Sequence, residues 1–344
     1  MKIKLKPISE QVVVIFGASS GIGRLTALEF AKKGASVAVA ARSETGLASL
    51  VEEIKQIGGQ AFYKTADAAN FDEVQAVADQ TFEIYGRIDT WVHSAATFLV
   101  APFEEIKPEE FKRVIEVNLL GQVYGAMAAL PFLKRTGKGA LIHISSVEAV
   151  RSIPFQSAYG TSKFGIKGFL QTLRMELQVQ KIPIAVTEIM PGPINTPIWD
   201  KGRNKFKHKS RPPLLPVYHP QIVADAILYA AENNIRDMAV GGLAAAVSIS
   251  ERISPRLNDL IVGSIGFSQF EDELHPPDSP DALFDTMPEL SRIEGRFSDE
   301  QLKSDTVTWI QTRLPKVKKI MTALTGLIGG YLLYKFAQRR NRRQ

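Results

Sequence analysis

Hydrophobic and polar positions along the chain follow two periods. A short, continuous, β-branched apolar run stands at 12–16 (Val-Val-Val-Ile-Phe), and further short segments of strand character recur at 36–41, 60–65, 88–94, 140–144 and 184–189. Runs of this length suit strands buried on both faces of a parallel sheet. Between them lie longer stretches with apolar residues at helical spacing, at 25–33, 46–57, 71–85, 108–133 and 155–179. A further helix is expected at 222–232 and a last short strand at 238–242. Strands alternating regularly with helices predict an α/β fold, a doubly wound parallel sheet of the Rossmann type in three α/β/α layers. Right-handed crossovers then collect every strand C-terminus on one edge, where ligands bind.

The turns expected at that edge carry the candidate chemistry. The first strand runs directly into Gly17-Ala18-Ser19-Ser20-Gly21-Ile22-Gly23 and a helix. In that context the glycines let backbone approach a pyrophosphate, and the N–H groups of the helix N-terminus point at it. The glycine spacing, four then two, departs from the G-x-G-x-x-G order of the commonest dinucleotide fingerprint. Arg42 stands at the end of the second strand, with no acid before Glu44. An acid there would bind the ribose 2′-OH of NAD, whereas an arginine accommodates the 2′-phosphate of NADP. Asp67 follows the third strand and either contacts the adenine end of a cofactor or helps start the helix at Phe71. Ser94 and Pro191 also follow strands and belong to the same edge.

Tyr159 and Lys163 are four apart in a helical stretch, so both side chains share one face. A free phenol titrates near ~10, too high for ready proton exchange at neutral pH, and a cationic neighbour favours the phenolate. Ser146 lies thirteen residues earlier, just past the run 140–144, where a strand end returns its hydroxyl toward the tyrosine helix. Asn118 sits among Val114, Ile115, Val117, Leu119 and Leu120. A buried asparagine is costly without a partner, so it either bonds a neighbouring strand or serves chemistry.

Composition narrows the classes. The 45% hydrophobic and 23% charged fractions are those of an ordinary globular chain. With no cysteine among 344 residues, disulfides, thiolate metal sites and a cysteine nucleophile are excluded, and no metal site is expected. Residues 313–344 hold nine of the 42 Lys/Arg and no acid, leaving 33 bases against all 36 acids on residues 1–312. The net charge of +6 is thus a property of the tail, and the mildly acidic body argues against a nucleic-acid face. The first residues lack an apolar core long enough for a secretory signal.

Over roughly residues 12–242 the sequence resembles the classical short-chain dehydrogenase/reductase family. The resemblance rests on the glycine loop 17–23, Asn118 in Val117-Asn118-Leu119, Ser146, Tyr159-Gly160-Thr161-Ser162-Lys163, and Pro191-Gly192-Pro193-Ile194-Asn195-Thr196. It implies that Tyr159 is the general acid/base, that Lys163 lowers its pKa and holds the nicotinamide ribose, and that Ser146 orients the substrate carbonyl. It also implies that Asn118 supports a proton relay through water to Lys163. Candidate cofactor contacts are Gly17, Ser19, Ser20, Gly21, Ile22, Arg42, Asp67, Ser94, Tyr159, Lys163, Pro191, Ile194 and Thr196. The resemblance suggests a homodimer or homotetramer through the helices holding Asn118 and Tyr159. Two departures stand out: Phe16 where the family usually has Thr, and His93-Ser94-Ala95-Ala96 where it usually has Asn-Asn-Ala-Gly.

The chain thus divides into a catalytic domain (1–242), a partly helical, partly irregular extension (243–312) and a basic tail (313–344). The run Lys201, Arg203, Lys205, Lys207, Lys209, Arg211 reads as a solvated loop over the substrate end. Residues 272–296, acidic and proline-rich, read as extended or poorly ordered. The uncharged stretch 320–334, flanked by lysines and arginines, is a candidate membrane anchor or interfacial helix, which makes 316–343 a membrane contact and the protein cytoplasmic, held at the membrane surface. The expected function is an NADP(H)-dependent oxidoreductase on a small-molecule carbonyl/alcohol pair, lipophilic if the tail meets membrane, with NAD the lesser cofactor. The competing expectation is a non-catalytic, membrane-tethered NADP-binding scaffold.

Overall fold

The computed structural model describes residues 3–314, apart from 213–214, 265 and 277–278. Seven parallel strands form the central sheet: β1 (Val12–Phe16), β2 (Ser36–Ala41), β3 (Gln60–Thr65), β4 (Thr90–His93), β5 (Gly139–Ile144), β6 (Ile184–Pro191) and β7 (Asp237–Val240). Their order is β7-β6-β5-β4-β1-β2-β3, so the direction of winding reverses between β1 and β4. A crevice opens at that switch point, outside the strand C-termini.

Both sheet faces are covered, which is why central strands such as β1 and β2 are nearly all apolar, while the edge strand β3 is only partly buried and carries Gln60, Lys64 and Thr65. On β1, Val13 and Ile15 face one core, shared with α1 (Gly21–Lys32), α2 (Glu44–Gln56) and α6 (Gln221–Glu232). Val14 and Phe16 face the other core, shared with α3 (Phe71–Tyr85), α4 (Pro108–Thr136) and α5 (Ser157–Val179). Each such side chain, at most 1% exposed, contributes about 1.5–3 kcal/mol by leaving water. Local caps set the helix starts: Ser43 Oγ accepts the Gly46 N–H at 3.3 Å, and Asn70 Oδ1 accepts those of Asp72 and Glu73. Inside α4 the residues Glu116–Leu120 widen into a π-turn, a feature often found at functional sites.

Beyond β7, α7 (Gly242–Ile253) and α8 (Pro255–Ser264) lead into chain that folds back over the strand C-termini. Phe270–Leu274 pairs antiparallel with His208–Ser210, Gln301–Leu302 pairs with Val217–Tyr218, and α9 (Thr306–Arg313) is capped by Asp305. The basic run at 201–211 is not a free solvated loop. Arg203 pairs with Asp281 and Glu110, Lys205 with Glu110, Lys209 with Glu273 and Arg211 with Glu300. Acids of the extension (Asp281, Glu273, Glu300) and Glu110 on α4 hold the basic run in place. Beyond Leu274, the described residues up to 296 hold one short 3-10 turn, Pro288–Leu290, yet they bond across the crevice. The candidate membrane segment 320–334 lies outside the described residues. Among the described residues, Pro108–Thr136 is long and apolar enough to cross a membrane, but it is α4, half buried in the second core.

Candidate active site

The first wall of the crevice is the glycine loop. Gly17 has φ +89°, and a Cβ there would lie 2.3 Å from the Ala95 nitrogen, so only glycine fits beside the loop after β4. Gly21 has φ +56° and sits against Thr196. The loop is pinned from two sides, the Gly17 N–H donating to Ala40 O at 2.7 Å and the Ser94 N–H to Phe16 O at 2.8 Å. α1 starts at Gly21, so the amides of its first turn lack intrahelical acceptors; that of Gly21 donates to the Arg292 carbonyl, and Gly21 and Ile22 line the crevice.

The crevice holds a continuous cavity of about 260 Å³. It is lined by the glycine loop at one end and by Ser146, Tyr159 and Lys163 at the other. All the candidate cofactor contacts named from the sequence line it. Asn118 does not; its neighbour Val117 does.

At the far end, β5 returns Ser146, whose Oγ accepts the Glu148 N–H at 3.1 Å and bonds the Tyr159 phenol. α5 places Lys163 one turn below Tyr159, with Nζ 5.2 Å from the phenol ring centre and donating to the Ile144 carbonyl at 3.2 Å. Phe98 meets the Tyr159 ring edge-on at 5.3 Å and Trp199 at 5.1 Å. Tyr159 presents part of its surface to the cavity, but enclosing protein pushes the phenol well above its ordinary value; the Glu148 charge adds to this and the Ser146 bond opposes it. The expected lowering of the phenol by Lys163 is therefore outweighed. Burial brings Lys163 down to about 8, against the pull of Glu148 and Glu188. Burial also raises Glu148 to about 8, opposed by the Ile153 backbone and the Lys163 charge.

Three expectations meet unforeseen partners. Asn118, fully buried in the π-turn, accepts the Thr97 N–H at 2.7 Å and donates to the Thr97 carbonyl at 2.9 Å and to Ser162 Oγ at 3.3 Å. It grips the loop after β4 rather than a strand. Asp67 does not cap α3, since Asn70 does; it pairs with Arg113 at 2.6 Å and accepts the Ala69 N–H. Arg42 lines the cavity where expected, yet Nη1 donates to Phe284 O and Nη2 to Ala282 O, both at 2.7 Å.

Sequence reasoning missed Glu148, Phe98, Trp199, Lys201, Ala282, Thr286 and Met287 as cavity residues. For Glu148 a signal existed: an acid two places after Ser146 must share its surroundings. Lys201 leaves the basic run to donate to Ser20 Oγ at 3.1 Å, and burial lowers it to about 8. The last three come from the extension, which carries no periodicity to place it.

A doubly wound parallel sheet with a glycine loop at its switch point and a Ser/Tyr/Lys cluster in the same crevice defines a class, the dinucleotide-fold oxidoreductases. Residues 11–206 match the model of the short chain dehydrogenase family, and the chain belongs to that family. It is 37% identical over 286 residues to "Uncharacterized oxidoreductase YxnA" of Bacillus subtilis, covering 83% of this chain and 80% of that protein. An alignment of that length reaches past Gly242 into the extension. Among solved structures it is similar to an alcohol dehydrogenase from the archaeon Thermococcus sibiricus complexed with 5-hydroxy-NADP (TM-score 0.59, 28% identity, 67% of this chain and 95% of that one). It is also similar to a 7α-hydroxysteroid dehydrogenase complexed with NADH and 7-oxo glycochenodeoxycholic acid (TM-score 0.61, 25% identity, 68% and 94%).

Proposed function

We propose that the protein is an NADP(H)-dependent oxidoreductase that interconverts a carbonyl and an alcohol. One arrangement carries the reading: Ser146, Tyr159 and Lys163 meet in the cavity that the glycine loop lines. The residues fit a dinucleotide, because the glycine loop and the first turn of α1, whose amides lack intrahelical acceptors, line the crevice. The loop would hold the pyrophosphate, Arg42 and Asp67 the adenosine end, and Tyr159, Lys163, Pro191, Ile194 and Thr196 the nicotinamide half. NADPH, when bound, would supply the hydride to the substrate carbon, and NADP would accept it in the reverse direction. In reduction, Ser146 Oγ donates a hydrogen bond to the substrate carbonyl oxygen, and the Tyr159 phenol gives its proton to that oxygen. Carbon gains the hydride and oxygen the proton, which closes the balance at the alcohol. A raised phenol stays protonated at neutral pH and so stands ready as an acid. Lys163, cationic below about 8, holds the phenolate that remains.

Arginine instead of an acid at position 42 supports NADP over NAD. Phe98, Trp199, Ile153 and Ile198 give the substrate end an apolar wall, which supports a lipophilic carbonyl compound, as does the similar steroid dehydrogenase. Exposed Met127, Phe164, Met175 and Val179 on α4 and α5 support a homodimer or homotetramer, which sedimentation would test. The tail 316–343 is proposed to hold the protein at the cytoplasmic face of a membrane; liposome flotation lost on truncation after Leu314 would support this, and retained flotation would refute it.

The test of function is NADPH consumption against a panel of lipophilic ketones. Tyr159→Phe is expected to lose about 10²–10⁴-fold of the turnover while still binding NADPH. Turnover equal to wild type would overturn the role of Tyr159.

A further inference from the structure

The extension does more than flank the domain. Four of its backbone carbonyls bond groups that face the dinucleotide crevice or brace it. The Arg292 carbonyl accepts the Gly21 N–H at 2.9 Å, on the glycine loop itself. The carbonyls of Ala282 and Phe284 accept the Arg42 guanidinium, and that of Leu283 accepts Arg113 Nε at 3.1 Å. Arg113 in turn holds Asp67. Ala282, Thr286 and Met287 line the cavity.

This segment is latched at both ends. At one, Leu283 is fully buried with Leu99, Ala101, Val114 and Ala158, and Asp281 binds Arg203 at 2.7 and 3.3 Å. At the other, Arg292 and Arg296 pair with Asp200, and Asn195 Oδ1 accepts the Phe297 N–H at 3.1 Å. Between the latches, most of 284–290 is exposed, and the backbone bonds of Leu290 and Ser291 are local turns. Firm ends and an exposed middle are what a strap across an opening requires.

We propose that residues 281–297 form the outer wall of the dinucleotide site, and that the cofactor enters and leaves only when this strap lifts from Gly21 and Arg42. The inference rests on the reading of the crevice as a dinucleotide site. Backbone carbonyls make the strap's bonds to Gly21, Arg42 and Arg113, while its side chains Asp281, Leu283, Arg292 and Arg296 make the latches. Cofactor exchange is then limited by strap opening, as lid motions limit turnover elsewhere.

The test uses the absence of cysteine. A Cβ built on Gly46 lies 3.1 Å from Ser291 Cβ, within reach of the ~3.5–4.5 Å of a disulfide after a small shift. Full-length Gly46→Cys/Ser291→Cys protein is loaded with NADPH, oxidised, and chased with excess NADP while nicotinamide fluorescence is followed. Release is expected to slow by about tenfold or more in the oxidised form and to recover on reduction. Independently, Asp281→Ala/Leu283→Ala loosens one latch, and release is expected to quicken by about tenfold or more. Proteolysis within 284–290 should also be suppressed by NADPH in wild type. Equal release from oxidised and reduced protein, or wild-type release from the loosened variant, overturns the strap. Wild type that binds neither NADPH nor NADH overturns the underlying site instead.

Discussion

Asn118 holds Thr97 by both polar groups of its backbone, accepting the N–H at 2.7 Å and donating to the carbonyl at 2.9 Å. Thr97 precedes Phe98, which packs on both Tyr159 and Trp199. The π-turn of α4 is thereby tied to the ring that positions the phenol. Asn118→Ala leaves two buried backbone groups unpaired and is expected to cost about 2–4 kcal/mol, with a parallel fall in kcat. Denaturant unfolding checks it; an unchanged midpoint would contradict the clamp.

Gly17→Ala is a more severe change. Its methyl would meet the Ala95 nitrogen at 2.3 Å, and its φ of +89° is unfavourable to any side chain. A loss of roughly 3 kcal/mol or more is expected, with dinucleotide binding lost as well, by denaturant titration and nicotinamide fluorescence. Normal stability and binding would mean that the loop is not built around this contact.

These two positions differ in how far the sequence alone announced them. Strands such as Val12–Phe16 were legible because burial on both faces leaves no polar alternation, and Gly17 because a loop between strand and helix has few other readings. Asn118 was legible as a residue needing a partner, but its partner is loop backbone, which no side-chain pattern marks. Arg42 was placed correctly at the end of β2, while its bonds to Ala282 and Phe284 depend on contacts across most of the chain. The strap left no periodic trace for the same reason, since its carbonyls make the contacts. The basic run at 201–211 could have been matched to the acids of the extension by charge, had the fold-back been known.

Glu148 acts on the titration of the Tyr159 phenol. Its charge raises the Tyr159 phenol, so Glu148→Gln should lower it. Alcohol oxidation needs the phenolate, and the rising limb of its pH–rate profile should move to lower pH in the variant. The effect belongs above about 8, where Glu148 is ionised. An unmoved limb, or one moved to higher pH, would contradict it.

Acid should destabilise the fold through buried histidines. His143 and His93 are fully buried, and burial holds both below the ordinary imidazole value, His143 down to about 3. Their stabilising contribution is complete above an unfolded pKa of ~6.5 and is lost as pH falls toward the folded value, because the unfolded chain takes the proton first. For His143 this amounts to about 2 kcal/mol between pH ~7 and ~5. His143→Leu should therefore lose less stability over that range than wild type; parallel urea curves would contradict the assignment.

A dinucleotide site coupled to a tyrosine acid/base can be probed without any substrate. Fluorescence titration of the full chain with NADPH and with NADH should give saturable binding, tighter for NADPH by about tenfold or more. Tighter NADH binding would remove the role given to Arg42 and leave the oxidoreductase. Failure of both to saturate would contradict the dinucleotide site itself.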